Sequence, residues 1–154
     1  MGIFSFFTRP GRYFSPEENN LIVSAIREAE RRTSGEVRVY IESRCRFVDP
    51  IDRAAEIFFG LQMEKTDNRN GVLVYVALKD KQLAIFGDEG IHLKVGNAFW
   101  QAEVSKMLSH FSGNNYAAGL SQIVLDIGEA LKSHFPYEKG EDKNELPDEI
   151  VFGS

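Results

Sequence analysis

The sequence contains little cysteine and no long hydrophobic run. Cys45 is the single cysteine among 154 residues, so an internal disulfide is impossible and a reducing compartment is favoured. The apolar stretch from Ile3 to Phe7 is too short for the core of a signal peptide and lacks a basic segment before it. No segment approaches the length that spans a bilayer. We therefore expect a cytoplasmic protein without a transmembrane segment.

Clustered basic residues are also absent. The net charge is −5 and the lysines and arginines are scattered, so the positive surface needed to bind a phosphate backbone is missing. We do not expect nucleic acid as a partner. With 43% hydrophobic and 27% charged residues, the composition is that of an ordinary folded domain with a core.

Several catalytic and cofactor motifs are missing as well. The three histidines lie in different segments without the spacing of a zinc site. No Gly-x-Gly-x-x-Gly loop follows the first predicted strand, and no Gly-x-Ser-x-Gly elbow occurs. Cys45 lies between two arginines, but no general base can be placed beside it. Zinc, dinucleotide and serine-hydrolase chemistry are therefore disfavoured.

Local signals predict a helix, a strand, a helix and a second strand in the first half of the chain. Ser15 to Glu18 forms a capping box that starts a helix, and Gly35 is its predicted end. Glu36 to Glu42 alternates like a strand half open to solvent, and Asp49-Pro50 starts the next helix. Gly71 to Leu78 is apolar on both faces, as in a central strand. This order predicts a βαβ unit with two parallel strands.

The second half predicts a hairpin strand and two more helices. Residues 79–82 are too few for a crossover, so Leu83 to Phe86 is expected to return antiparallel. A helix beginning near Asn97 and another beginning near Tyr116 follow. We predict an α/β domain over residues 14–136, with a small mixed sheet flanked by about four helices. An apolar extension, 1–13, precedes it, and a tail, 137–154, is expected to pack on it as an extended segment.

This topology predicts a polar site at one edge of the sheet. The first two strands begin where the third ends, so their flanking residues should meet there. Carboxylate and amide oxygens dominate those residues: Glu36, Asp67, Asn68, Asn70, Asp88 and Glu89. Crowded carboxylates repel one another unless a cation neutralises them, and oxygen ligands without His or Cys favour Ca²⁺ or Mg²⁺. The edge is a candidate metal site.

Two other interpretations of the same residues stay open. Asp and Asn are favoured in turns, and Asp88 and Glu89 suit the start of a following helix. Arg69 lies among them and either neutralises part of the charge internally or contacts an anion through its planar guanidinium.

Three motifs make the chain resemble the TPM domain family. They are Thr33-Ser34-Gly35-Glu36-Val37, Arg69-Asn70-Gly71-Val72-Leu73-Val74-Tyr75-Val76 and Phe86-Gly87-Asp88-Glu89-Gly90-Ile91. Asn115-Tyr116-Ala117-Ala118-Gly119-Leu120 and Glu145-Leu146-Pro147-Asp148-Glu149 are similar to a stand-alone bacterial branch. The resemblance implies a three-layer Rossmann-like sandwich with an acidic pocket for calcium or a similar ion, drawing on Glu36, Arg69, Asn70 and Asp88, with Asp67 and Glu89 beside them.

The resemblance also implies two kinds of function. Thylakoid-lumen relatives are linked to photosystem II repair and to weak acid phosphatase activity, and an animal relative is a membrane-protein accessory factor. We therefore expect a divalent-cation-binding domain that serves the assembly or maintenance of other proteins. The alternatives are a metal-dependent phosphatase, in which Arg69 binds the phosphoryl group and Asp88 orients water, and a protein-interaction module without metal that uses the Phe-rich N-terminus.

Overall fold

The computed structural model describes residues 13–113, 115–137 and 150–153. Most of the predicted N-terminal extension and of the C-terminal tail therefore lies outside the described residues. The helices are α1 (Pro16–Arg31), α2 (Pro50–Gly60), α3 (Glu89–Ser112) and α4 (Tyr116–His134). The strands are β1 (Glu36–Glu42), β2 (Gly71–Ala77), β3 (Gln82–Gly87) and β4 (Ile150–Phe152).

The predicted α/β fold class is confirmed, and the strands form a mixed sheet in the order β3-β2-β1-β4. β1 runs parallel to β2, and β2 pairs antiparallel with β3. The sheet also has a fourth strand, because β4 adds parallel to the free side of β1. This strand comes from the segment for which an extended conformation was expected from the sequence.

Alternation along the strands divides the core into two layers. Val37, Val39 and Ile41 of β1 belong to the large cluster beneath α1, α3 and α4. Leu73 and Tyr75 of β2 point the other way and pack against α2. One helix therefore covers one face of the sheet and three cover the other, which makes three layers. No helix in the described ranges combines the length and the apolar character needed to cross a membrane.

One predicted helix boundary is wrong, and one predicted helix is preceded by a segment that was not predicted. α1 ends at Arg31 rather than near Gly35, whose role is close packing: a Cβ there would lie 2.7 Å from Leu131 Cδ2. The helix predicted to begin near Asn97 is present as the part of α3 after Gly96, and a further helical segment precedes it from Glu89. Gly96, with φ 75° and ψ 173°, interrupts the helical backbone, so only the part after it shows a continuous apolar stripe.

The prediction that β1 is half open to solvent is also wrong. Arg38 and Glu42, on its polar face, are buried, as are the valines on its apolar face. Strand alternation distinguishes the two faces but does not show what covers each of them. The polar face of β1 therefore carries three buried charged side chains, Glu36, Arg38 and Glu42, and charged groups in such places require partners.

Candidate functional site

The start of β1, the start of β2 and the end of β3 meet at one edge of the sheet. Glu36 is the register partner of Gly71, and the Asp88 amide donates to the Gly71 carbonyl across 2.9 Å. Glu36, Gly71 and Asp88 therefore form a row over two strand spacings, about 10 Å. Gly71 places no side chain between the two carboxylates. We call this edge the amino-terminal rim, made of Glu36, Asp67 to Asn70, Asp88 and Glu89.

Asp88 is the best-anchored residue of the amino-terminal rim. Its side chain is buried, and its Oδ1 accepts from the Glu89 amide at 2.8 Å, which caps α3. Arg69 binds the same carboxylate with both arms of its guanidinium, Nε to Oδ2 and Nη2 to Oδ1, each at 2.7 Å. These bonds raise the pKa of Arg69. An arginine is therefore the counter-charge of this buried carboxylate.

Glu89 and Asp67 form the outer part of the amino-terminal rim. Both residues are exposed. Arg69 Nη1 also donates to Glu89 Oε1 at 3.2 Å, although the Glu89 side chain is 66% exposed. The expected internal neutralisation by Arg69 and the expected capping by Asp88 are thus both present. Neither excludes a cation, but a cation bound by Asp88 would compete with Arg69.

Asn70 is held below the surface of the amino-terminal rim. Its amide nitrogen Nδ2 donates to Ser34 Oγ at 3.2 Å, and its backbone N–H donates to Thr66 Oγ1 at 3.3 Å. Its carbonyl oxygen Oδ1 is buried and accepts no hydrogen bond from the described chain. A buried acceptor without a donor is unusual and costs free energy. Amide oxygens of this kind are good ligands for hard cations.

The amino-terminal rim partly fits a divalent cation. Asn70 supplies a buried oxygen, and Asp88, Glu89 and Asp67 supply carboxylates near it along the chain and across the strands. Yet no group of three or more His, Cys, Asp or Glu in the described segments is arranged to hold a metal ion. Any ion would therefore need Asn70 and a rearranged Arg69, in addition to the carboxylates.

A second buried polar cluster, at the other end of β1, was missed by the sequence analysis. Glu42 accepts from Arg53 at 2.9 and 3.0 Å and also from the Tyr75 hydroxyl. Burial, together with the bond to Glu42, raises the pKa of Tyr75. Arg53 lies early in α2, on the face turned toward β1. Its position near the start of the helix that follows β1 is the sequence feature from which a pairing with Glu42 could have been predicted. The pairing was not predicted, because the alternation of β1 indicated that Glu42 would be solvated.

Comparisons with known proteins agree with this fold. The family model of the TPM domain matches residues 8–130. The NMR structure of BA42 protein from the psychrophilic bacterium Bizionia argentinensis superposes with a TM-score of 0.84 at 39% identity, covering 95% of this chain and 99% of that one. A search of curated proteins finds no match.

Two more distant NMR structures share the fold. The N-terminal domain of cg2496 protein from Corynebacterium glutamicum gives a TM-score of 0.64 at 14% identity, over 89% of this chain and 85% of that one. The N-terminal domain of a P. gingivalis protein gives 0.63 at 20% identity, over 82% and 83%. The family model and the BA42 likeness each span most of this chain, and the chain therefore belongs to the TPM domain family.

Proposed function

We propose that this TPM domain binds a divalent cation, calcium in the first place, at the amino-terminal rim and serves the assembly or maintenance of other proteins. The observation that carries the proposal is the presence of two buried polar groups, Asp88 and Asn70, at the same edge of the sheet. Asp88 needs a positive counter-charge, which Arg69 supplies, and Asn70 Oδ1 is a buried oxygen without a donor. A cation at this edge would satisfy both groups together.

Arg69 is the exchangeable part of this arrangement. Its side chain is 37% exposed, so it has room to move into solvent when a cation takes over Asp88. Asp67 and Glu89 are exposed beside it and offer further oxygens. Calcium suits such a set better than magnesium, since calcium accepts irregular coordination while magnesium demands a near-ideal octahedron. Competition with Arg69 implies modest affinity.

The same arginine weighs against the phosphatase alternative. Both arms of the Arg69 guanidinium are bound to Asp88, and its third nitrogen contacts Glu89. While it is bound to Asp88, the guanidinium is thus not directed toward a phosphoryl group. Both carboxylate oxygens of Asp88 accept hydrogen bonds from Arg69, and Oδ1 also accepts from the Glu89 amide at the start of α3. An ion-ordered edge that another protein recognises agrees better with this geometry than a reaction centre does.

A calcium titration followed by NMR, in the natural sequence and in Arg69→Gln, tests the proposal. We expect saturable shifts confined to residues 34–36, 67–71 and 87–90. Arg69→Gln should lower the melting temperature without calcium, because Asp88 loses its partner, but bind calcium more tightly and recover stability with it. Asp88→Asn, which removes the charge at nearly constant shape, should abolish the response.

Two results would contradict the proposal. Shifts that do not saturate, or that spread over the whole domain in both proteins, would remove the cation site and leave a metal-free interaction module. Metal-dependent turnover of p-nitrophenyl phosphate that disappears in Asp88→Ala would instead establish the phosphatase. Turnover that survives Asp88→Ala would count against catalysis at the amino-terminal rim.

A further inference from the structure

A basic cavity lies at the opposite edge of the sheet from the amino-terminal rim. It measures about 510 Å³ and follows the carboxyl end of β1. We call it the carboxyl-edge pocket, and its lining includes Glu42, Arg44, Arg46, Phe47, Arg53 and Lys79. Open α/β sheets place ligands outside the carboxyl ends of their parallel strands. Here β1 is the strand with parallel neighbours on both sides.

The carboxyl-edge pocket contains more positive charge than its neighbours neutralise. Arg53 is held by Glu42 and Glu56, and Arg44 contacts Asp80 at 3.3 Å. Arg46 and Lys79 are exposed, and neither forms an ion pair with any described residue. The whole chain carries a net charge of −5, so this positive region stands out from an acidic surface. Such a region attracts anionic groups.

An apolar groove lies on the other side of the same β1–α2 connection. It encloses about 480 Å³, and its lining is mainly apolar, with Ile51, Leu83, Ile85, Trp100 and Val104, while Asp49 and Ser105 are among its polar members. We call it the β3 groove, because it follows β3 between the start of α2 and the middle of α3. Among the described strands β3 pairs with β2 alone, so its outer side is an edge of the sheet. Extended peptides bind proteins along such edges.

The connection between the two cavities presents apolar side chains to solvent. Phe47 is partly exposed at the carboxyl-edge pocket, and Val48 is fully exposed, at 102% of its reference area. Ile51, also exposed, leads into the β3 groove. A small anion would fill the carboxyl-edge pocket without touching Val48 or the β3 groove. A chain that carries both carboxylates and apolar side chains would use all three.

We propose that this surface binds an extended acidic peptide segment of a partner protein. Apolar side chains of the segment occupy the β3 groove and contact the exposed connection, and its carboxylates enter the carboxyl-edge pocket beside Arg46 and Lys79. The proposal rests on the protein-partner half of the proposed function and is independent of the cation. A peptide titration in the presence of EDTA therefore tests peptide binding independently of the calcium titration.

The test uses a blocked, fluorescently labelled octapeptide that alternates glutamate with leucine and valine. Anisotropy should rise saturably at low salt, and NMR shifts should fall on residues 43–51, 79, 83–85 and 101–105. A peptide with glutamine for glutamate, and another with serine for the apolar residues, should each bind at least about tenfold more weakly. Phenyl phosphate that binds tighter than the octapeptide would overturn the proposal in favour of a small-anion site.

Matched variants separate the two cavities from general effects. Arg46→Ala with Lys79→Ala should weaken octapeptide binding about tenfold, and Arg27→Ala with Lys94→Ala, which removes the same charge from exposed positions on α1 and α3, should not. Ser105→Glu should weaken binding, because it adds bulk and a like charge at the β3 groove, whereas Ser109→Glu, one turn further along α3, should have little effect. Equal losses in the test and control variants would mean diffuse attraction and would overturn the proposal.

Discussion

At the scale of single residues, the buried carboxylates of Glu42, Asp88 and Glu103 each have a positively charged partner. Glu103 on α3 is buried, and its carboxylate lies 3.0 Å from Lys106 Nζ, which also contacts Asp126 of α4 at 3.1 Å. Burial, reinforced by a hydrogen bond with Asp126, raises the pKa of Glu103 to about 7. Burial alone would raise the pKa of Asp126, but hydrogen bonds from Glu103, Gln122 and Lys106 lower it.

Glu103 should make stability depend on pH near neutrality. The folded protein holds this proton more tightly than the unfolded chain, whose glutamate titrates at the ordinary value of 4.5. The contribution to the free energy of unfolding is therefore full below pH 4.5 and is lost as the pH rises toward about 7. The lowered pKa of Asp126 has the opposite effect, since its contribution to the free energy of unfolding is lost only as the pH falls below the ordinary aspartate value of 3.8.

Urea unfolding at pH 5 and at pH 8 measures the effect. Glu103→Gln should flatten the dependence, because a neutral amide has no proton to lose, whereas Glu129→Gln, at an exposed position on α4, should leave it unchanged. A decline from pH 5 to pH 8 that is as steep in Glu103→Gln as in the natural sequence would show that another group is responsible.

At the scale of elements, α3 consists of two helical segments joined at Gly96. Asp88 caps the first segment at the amino-terminal rim, and Trp100 and Met107 pack the second against the sheet. The break at Gly96 lets the first segment, capped by Asp88, and the second segment, packed on the sheet, run in different directions. A backbone with φ 75° and ψ 173° lies in a region that only glycine adopts readily.

Gly96→Ala and Gly60→Ala should differ, although neither new methyl group would meet any atom within 4 Å. Gly60 ends α2 without a positive φ, so alanine there should be neutral or stabilise by about 0.5 kcal/mol. Alanine at Gly96 must adopt a strained backbone and should cost about 1–3 kcal/mol. Urea unfolding of the two variants provides the comparison, and equal stabilities would show that the break in α3 is not required.

At the scale of the whole molecule, the parts predicted from sequence are those that local signals determine. The capping box of α1 and the βαβ unit followed from spacing, and strand direction then placed Asn70 and Asp88 at one edge. The bidentate pairing of Arg69 with Asp88 and the burial of Glu42 beneath Arg53 depend on packing between distant segments. Spacing within one segment contains no information on such contacts.

β4 and its neighbours hold both ends of the described chain against β1. Phe152 is fully buried, its ring stacks on Tyr13 at 5.8 Å, and the Tyr13 hydroxyl donates to the Gly153 carbonyl at 3.1 Å. The Gly153 amide in turn donates to Ile41 of β1. Without this strand, the edge of β1 would be open to pairing with another molecule.

Phe152→Ala should therefore destabilise the whole domain rather than the chain end alone. Removing a fully buried phenylalanine costs about 3–5 kcal/mol, and here the loss also loosens Tyr13 from β4. Urea unfolding monitored by far-UV circular dichroism should show one transition at a lower midpoint, while Val48→Ala, at a fully exposed position, should unfold like the natural sequence. A midpoint in Phe152→Ala equal to that of Val48→Ala would mean that β4 is an accessory strand and that β1 needs no neighbour there.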